Sequence, residues 1–192
     1  NTVGNARPEA IDLQFAPETV DAYELGAKFS RPGFSANLAL FQQDFSNFQL
    51  NTYNGVNFEV TNIQACRDDL GGADTDASAT TGACATDRLK SGVVAKGLEL
   101  EFFVSPVQDV AITAALTYLK TSYQKNLVGT EGRPLSPVLF QLPGQQISNA
   151  PPYVITGSLS WTPPIGDRLR GLAYIDYRFQ DSTNTGSDLD VE

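Results

Sequence analysis

The sequence predicts an all-β chain, an antiparallel up-and-down meander of about six long strands. Three observations carry that prediction. Apolar residues recur with period two over runs of strand length, and helical spacing is hard to find. The runs are joined alternately by short turns and by longer loops. Each run also sets an apolar face against a face of charges, hydroxyls and glycines, as a sheet with one greasy and one wet side requires.

The first run spans Thr19 to Phe29. Tyr23, Leu25, Ala27 and Phe29 fall on one face, and Glu24, Gly26 and Lys28 on the other. A short turn at 30–33 follows, with Pro32 fixing φ. The second run is Phe34 to Gln49. It places Ala36, Leu38 and Leu40 on one face and then Phe41 and Phe45 on the other. That phase switch predicts a bulge near residue 41, or a strand buried on both sides. After a loop at 50–56, Val56, Phe58 and Val60 resume the alternation as far as Asn62. A long loop at 65–91 contains both cysteines.

The next run, Val93 to Val104, sets Leu98, Leu100, Phe102 and Val104 against Gly97, Glu99, Glu101 and Phe103. A short turn at 105–109 leads to Val110–Tyr123, with Val110, Ile112, Ala114, Leu116 and Tyr118 opposite Thr113, Thr117 and Thr121. Prolines and glycines mark 124–150 as a long irregular loop. Tyr153, Ile155, Leu159 and Trp161 then oppose Thr156, Ser158 and Ser160. A short turn at 163–167 precedes the last run, Arg168 to Gln180. Its Leu169, Ala173, Ile175, Tyr177 and Phe179 oppose Arg170, Tyr174, Asp176 and Arg178. The segment 181–192 is polar and loop-like.

Composition removes several functions. The formal charge of −9 argues against nucleic acid, which asks for a basic face. The chain has no histidine, so Ser-His-Asp and Cys-His machinery and most zinc sites are excluded. No run of apolar residues is long enough for a transmembrane helix, so a membrane could be crossed only as a β-barrel. Cys66 and Cys84 bracket the small, acidic segment RDDLGGADTDASATTGA. They read as a disulfide and an oxidising compartment, with free thiols in a cytosolic protein as the other reading. Closing such a loop stabilises by roughly 3 kcal/mol on the chain-entropy estimate. The chain starts at Asn1 with neither Met nor a signal peptide, so a processed or truncated piece is expected.

Candidate chemistry is sparse. Glu99 and Glu101 lie two apart on one strand face, and paired carboxylates can serve a glycosidase. Two acids lining a wet interior is the favoured reading. Asp68, Asp69, Asp74 and Asp76 could offer oxygens to calcium, but their spacing is not that of an EF-hand, and a solvated loop is favoured. Tyr53 and Phe58 flank a loop where a ligand could touch them, and strand-end packing explains them equally well. GTEGRP lacks the Gly-Lys-Ser/Thr ending of a phosphate loop.

The alternation fits either a transmembrane barrel or a secreted β-sandwich, for example a carbohydrate-binding module. Unequal loop lengths and the aromatics Tyr123, Tyr153, Trp161 and Phe179 near strand ends favour the barrel. Glu24, Lys28, Glu99, Glu101, Asp176 and Arg178 would then face a polar lumen.

Several segments resemble TonB-dependent outer-membrane receptors. PETVDAYELGAKF resembles their Pro-Glu…Tyr-Glu-x-Gly-x-Lys strand, and LALFQQDFSNFQ the strand after it, with Phe41, Asp44 and Gln49 at matching places. VTNIQA and KGLELEF are similar to the family's Asn…Gly-x-Glu strand, here Asn62, Gly97 and Glu99. NAPPYVITGSLSW resembles the Ala-Pro opening of a later strand.

The resemblance spans roughly residues 13–180. It implies a Gram-negative outer-membrane barrel that imports a scarce nutrient (iron chelated by a siderophore, cobalamin or a glycan) without catalysis or cofactor. The short turns would be periplasmic and the loops at 50–56, 65–91, 124–150 and 181–192 extracellular. Partners implied are outer-membrane lipid, the receptor's own plug domain, the TonB complex and the nutrient. No plug, TonB-contacting box or closing strand is legible within 1–192. Six strands fall short of the family's 22, so a longer protein is expected. The cysteine segment interrupts the family pattern between Asn62 and Gly97, which places the disulfide in an extracellular loop.

Overall fold

A computed structural model describes residues 15–53, 58–70 and 82–185. Among these the strands are β1 (Thr19–Arg31), β2 (Phe34–Ser46), β3 (Phe48–Tyr53), β4 (Phe58–Cys66), β5 (Leu89–Lys90), β6 (Val93–Val104), β7 (Val110–Tyr123), β8 (Leu127–Val128), β9 (Tyr153–Trp161), β10 (Pro164–Ile165), β11 (Leu169–Arg170) and β12 (Ala173–Gln180). Six of them form one antiparallel sheet in chain order, β1-β2-β6-β7-β9-β12. The strong period-two alternation and β-branched and aromatic content of these runs explain why they pair as strands. No helix of the described residues is long and apolar enough to cross a membrane, which leaves crossing by strands untouched.

The register sorts side chains into two faces. Cross-strand partners share a face. One row reads Ala27–Leu38–Leu100–Leu116–Ile155–Phe179 from β1 to β12. One residue along the strands, the opposite face reads Lys28–Asn37–Glu101–Ala115–Thr156–Arg178. The apolar face has no second layer among the described residues: Leu25 is 71 % exposed and Ile175 66 %. A sandwich buries that face against another sheet. The described chain does not, so the sandwich alternative is not the fold. β1 and β12 each pair along one edge only, and the sheet does not close into a barrel.

Several bounds differ from the sequence reading, each for a local reason. No bulge occurs at residue 41, since β2 pairs without interruption with both β1 and β6. Phe41 instead lies over Gly97, its register partner. A Cβ on Gly97 would come within 2.9 Å of the Phe41 ring and 2.1 Å of the Tyr118 carbonyl oxygen, so the missing side chain makes room for an aromatic on the polar face. The break in the long run falls at Asn47, whose φ of 52° turns the chain out of the sheet into β3. Leu50 to Tyr53, expected in a loop, therefore belong to a hairpin. The expected turn at 163–167 is the start of a small β10–β11 hairpin, and the last long strand begins at Ala173 rather than Arg168.

The hydrophobic core lies in the loops. Leu50, Ile63, Ala65, Val93, Tyr123, Leu127, Leu135, Leu139 and Leu142 bury one another, with Phe45, Phe48, Phe140 and Ile147 packed around them. Phe45, Val93 and Tyr123 stand on the polar face of the sheet at its loop end, by register. The segment 124–150, read from sequence as irregular, thus folds back over that end of the polar face. Its return leg runs beside β7: the Tyr123 amide donates to the Gln145 carbonyl (2.9 Å) and the Leu119 amide to the Pro152 carbonyl (2.9 Å).

Candidate functional site

The six residues expected to line a lumen share one face of the sheet. Glu24 is the partner of Phe41, Lys28 of Asn37, Glu99 of Thr117, Glu101 of Ala115, Asp176 of Ser158 and Arg178 of Thr156. Polar groups on this face bond to one another, two pairs across neighbouring strands and one along β12. Asn37 Nδ2 donates to Glu101 Oε2 (3.2 Å), Thr113 and Ser158 hydroxyls lie 2.6 Å apart, and Arg178 Nη2 donates to Gln180 Oε1 (3.0 Å). A shallow groove of about 260 Å³ runs across it, lined by Ser35, Asn37, Glu101, Phe103, Thr113 and Thr156. Glu99 and Glu101 remain two acids on this polar face, the second bonded by an asparagine.

Above this face stands a folded cap. The hairpin β3–β4 has two dissimilar sides, because Phe48 pairs with Ile63 and Gln49 with Asn62. Its apolar side, with Leu50, Ile63 and Ala65, joins the core. Its polar side clamps the entry to β1. Asn62, 2 % exposed, accepts from the Ala16 amide (2.9 Å) and donates to the carbonyls of Ala16 (2.9 Å) and Asn47 (2.7 Å). Gln49 donates from Nε2 to the Ala16 carbonyl (3.2 Å), and its own amide donates to Glu18 Oε2 (2.9 Å). Gln64 Nε2 donates to the Asn47 side-chain oxygen. Glu18, Gln49 and Asn62, far apart in the motifs that carried the resemblance, are thus one hydrogen-bonded node.

Cys66 and Cys84 form a disulfide. With Val128, and with Leu70 and Leu89 packed against them, they make a second small core. Cys84 also binds the 124–150 segment, its amide donating to the Gly132 carbonyl (2.8 Å). Gly132 has φ 78°, and a Cβ there would lie 2.1 Å from the Cys84 carbonyl oxygen, so this clasp needs glycine. One disulfide therefore ties together β4, the cysteine loop and the 124–150 segment.

Of the four acids weighed as calcium ligands, Asp74 and Asp76 lie outside the described residues. Asp68 is taken by Arg88, whose Nε donates to both carboxylate oxygens (3.1 and 3.2 Å). That hydrogen bonding holds the Asp68 carboxyl below its ordinary value and the Arg88 guanidinium above its own. Among the described residues no group of three or more His, Cys, Asp or Glu is placed to hold a metal. Tyr53 and Phe58 are register partners at the tip of β3–β4, and their side chains lie outside the described residues. GTEGRP forms a tight turn with the Gly129 amide on the Arg133 carbonyl (2.8 Å), so its backbone is occupied within the cap.

Comparison with known proteins agrees with this architecture. The family described as TonB dependent receptor-like, beta-barrel, matches residues 2–190. The FrpB iron transporter from Neisseria meningitidis (F3-3 variant) is similar at 15 % identity and TM-score 0.46, over 84 % of this chain and 18 % of that one. The alcaligin outer-membrane receptor FauA from Bordetella pertussis is similar at 19 % identity and TM-score 0.43, over 87 % of this chain and 23 % of that one. The chain thus spans about a fifth of the length of these solved structures. A search of curated proteins gives no match. By the family match the chain belongs to the TonB dependent receptor-like β-barrel family, whose members reside in the outer membrane of Gram-negative bacteria.

Proposed function

We propose that the chain supplies wall and mouth to a TonB-dependent receptor that imports a scarce nutrient: a siderophore-bound iron, a cobalamin or a glycan. The observation that carries this reading is the pair of adjacent rows. Ala27–Leu38–Leu100–Leu116–Ile155–Phe179 suits hydrocarbon, and Lys28–Asn37–Glu101–Ala115–Thr156–Arg178 suits water. On this reading Glu24, Lys28, Glu99, Glu101, Asp176 and Arg178 face the lumen and meet the plug domain. The turns at 30–33, 105–109 and 163–167 lie in the periplasm, and the cap is extracellular. The sheet then offers the nutrient a polar passage, and transport, not bond chemistry, is its work.

Two measurements on the whole receptor test this. It should require detergent for extraction and migrate faster in gels before boiling than after. Cells carrying it should accumulate one of the three labelled nutrient classes only while TonB is present. A whole protein that stays in water without detergent, or uptake that survives loss of TonB, overturns the reading.

A further inference from the structure

The outward face carries a basic pair where its apolar part ends. Lys96 of β6 and Lys120 of β7 are direct register partners, on the same face as Leu98 and Tyr118. Both are exposed. Like charges directly opposite on a sheet destabilise it. Neither takes part in the ion pairs of the described residues, which are Arg88–Asp68 and Arg170–Asp109. Gln42 is the other neighbour of Lys96, and its amide is spent on Asp44, one row further out (3.0 and 3.2 Å). Asp44 and its register partner Asp21 lie on the same face on the β1–β2 side, so the basic charge is concentrated at Lys120, the lysine that borders the open edge of β7.

A notch lies beside the pair. β9 stops pairing with β7 at Tyr153, opposite Tyr118. Beyond that point this edge of β7 has only the irregular return leg of the 124–150 segment beside it, while the other edge stays paired with β6. The gap is a cleft of about 350 Å³, lined by Tyr118, Lys120, Ser122, Gly144, Gln146 and Tyr153. The rings of Tyr118 and Tyr153 lie 5.0 Å apart at its lower edge, and Leu98 and Leu116 continue the apolar wall below. Two residues of strand rise put the lysines only about 7 Å along the strand from Leu98 and Tyr118. That is headgroup depth, where tyrosines settle and lysines extend toward phosphates.

We propose that Lys96, Lys120 and the adjoining cleft form a lateral site for the phosphate-bearing headgroup of an outer-membrane lipid, with the acyl chains against Leu98 and Leu116. The inference rests on the outward face meeting lipid. It adds a specific anionic lipid to what would otherwise be bulk hydrocarbon contact. Charge complementarity selects the occupant, and the apolar wall directly below selects a lipid over a free anion.

The test is intact-mass spectrometry of the whole receptor in a neutral detergent. The probes are dihexanoyl phosphatidic acid, dihexanoyl phosphatidylcholine and inorganic phosphate. The wild type should bind phosphatidic acid saturably and more tightly than either other probe. K96Q and K120Q should each weaken it about fivefold and the double variant about 25-fold, while K96R/K120R retains it. Equal binding by the double variant, by phosphatidylcholine or by inorganic phosphate alone overturns the lipid site. If the double variant fails to fold, the ranking of the three probes on the wild type decides. A receptor that needs detergent yet shows no preference for phosphatidic acid sinks this inference and leaves the receptor reading standing; a water-soluble protein sinks both.

Discussion

Asn62 offers the sharpest test of how the cap is held to the wall. Its side chain makes three hydrogen bonds from a buried position: one accepted from the Ala16 amide and two donated to the Ala16 and Asn47 carbonyls. Each such bond is worth about 0.5–1.5 kcal/mol net, and the orphaned partners add to the loss. Asn62→Ala should therefore weaken the local structure by about 2–4 kcal/mol. Asn62→Asp keeps the acceptor but turns a carboxylate oxygen toward two carbonyl oxygens, so it should cost more than alanine. The assay is hydrogen exchange on the whole receptor in detergent. A loss of 2 kcal/mol speeds exchange of the Ala16 amide by about 30-fold where local opening governs it. Amides of Leu100 and Leu116, in the middle of the sheet, should not change. Unaltered exchange at Ala16 in either variant, or equal acceleration at Leu100, would refute the claim that Asn62 is a local clamp.

Other expectations follow from the same division into wall and cap. Leu139→Ala empties a fully buried position in the cap core and should cost about 2–5 kcal/mol there. Limited proteolysis should then cut within 124–150 while heat-modifiable migration persists. Cys66→Ser with Cys84→Ser releases a tether worth roughly 3 kcal/mol, and should expose the cysteine loop to protease without lowering the yield of folded barrel. On the wall, Leu100→Arg should destabilise insertion into vesicles by about 2–4 kcal/mol in urea titrations. Glu99→Gln, one residue away on the other face, should stay within about 0.5 kcal/mol. If the two wall variants behave alike, the assignment of faces is wrong.

The wall was legible because it obeys one rule throughout. Period two over long runs fixes which residues share a face, whatever the partner strand. Hence Val93–Val104 and Val110–Tyr123 could be bounded to the residue, and all six candidate wall charges fell on one face. Phe41 looked like a fault in the pattern because the pattern says nothing about what lies opposite. Only the register shows Gly97 beneath it, and a large ring beside a residue with no side chain is regular pairing. The start of the last strand was placed at Arg168 rather than Ala173 for a related reason. Leu169 and Arg170 alternate in phase with β12, yet they pair with Ile165 and Pro164 in a hairpin of their own.

The cap was illegible because its order comes from contacts distant in sequence. Leu135, Leu139 and Leu142 are spaced i, i+4, i+7 as on a helix face, but Pro134, Pro137 and Pro143 rule out a helix there, so the spacing could not be read as a core. Their partners, Ile63 and Val93, belong to other elements. One signal was present: the loop is polar and yet keeps large aliphatics, which a merely solvated loop has no use for. The same reasoning separates what holds each half of the molecule. The wall buries almost nothing within this chain and depends on what lies against its faces, whereas the cap carries its own apolar core and its own crosslink. On the function proposed above, an entrance built this way would be shaped before any nutrient arrives. Binding there would not have to order the 124–150 segment, because the entropy that a floppy loop would lose on closing over a ligand is already spent in folding.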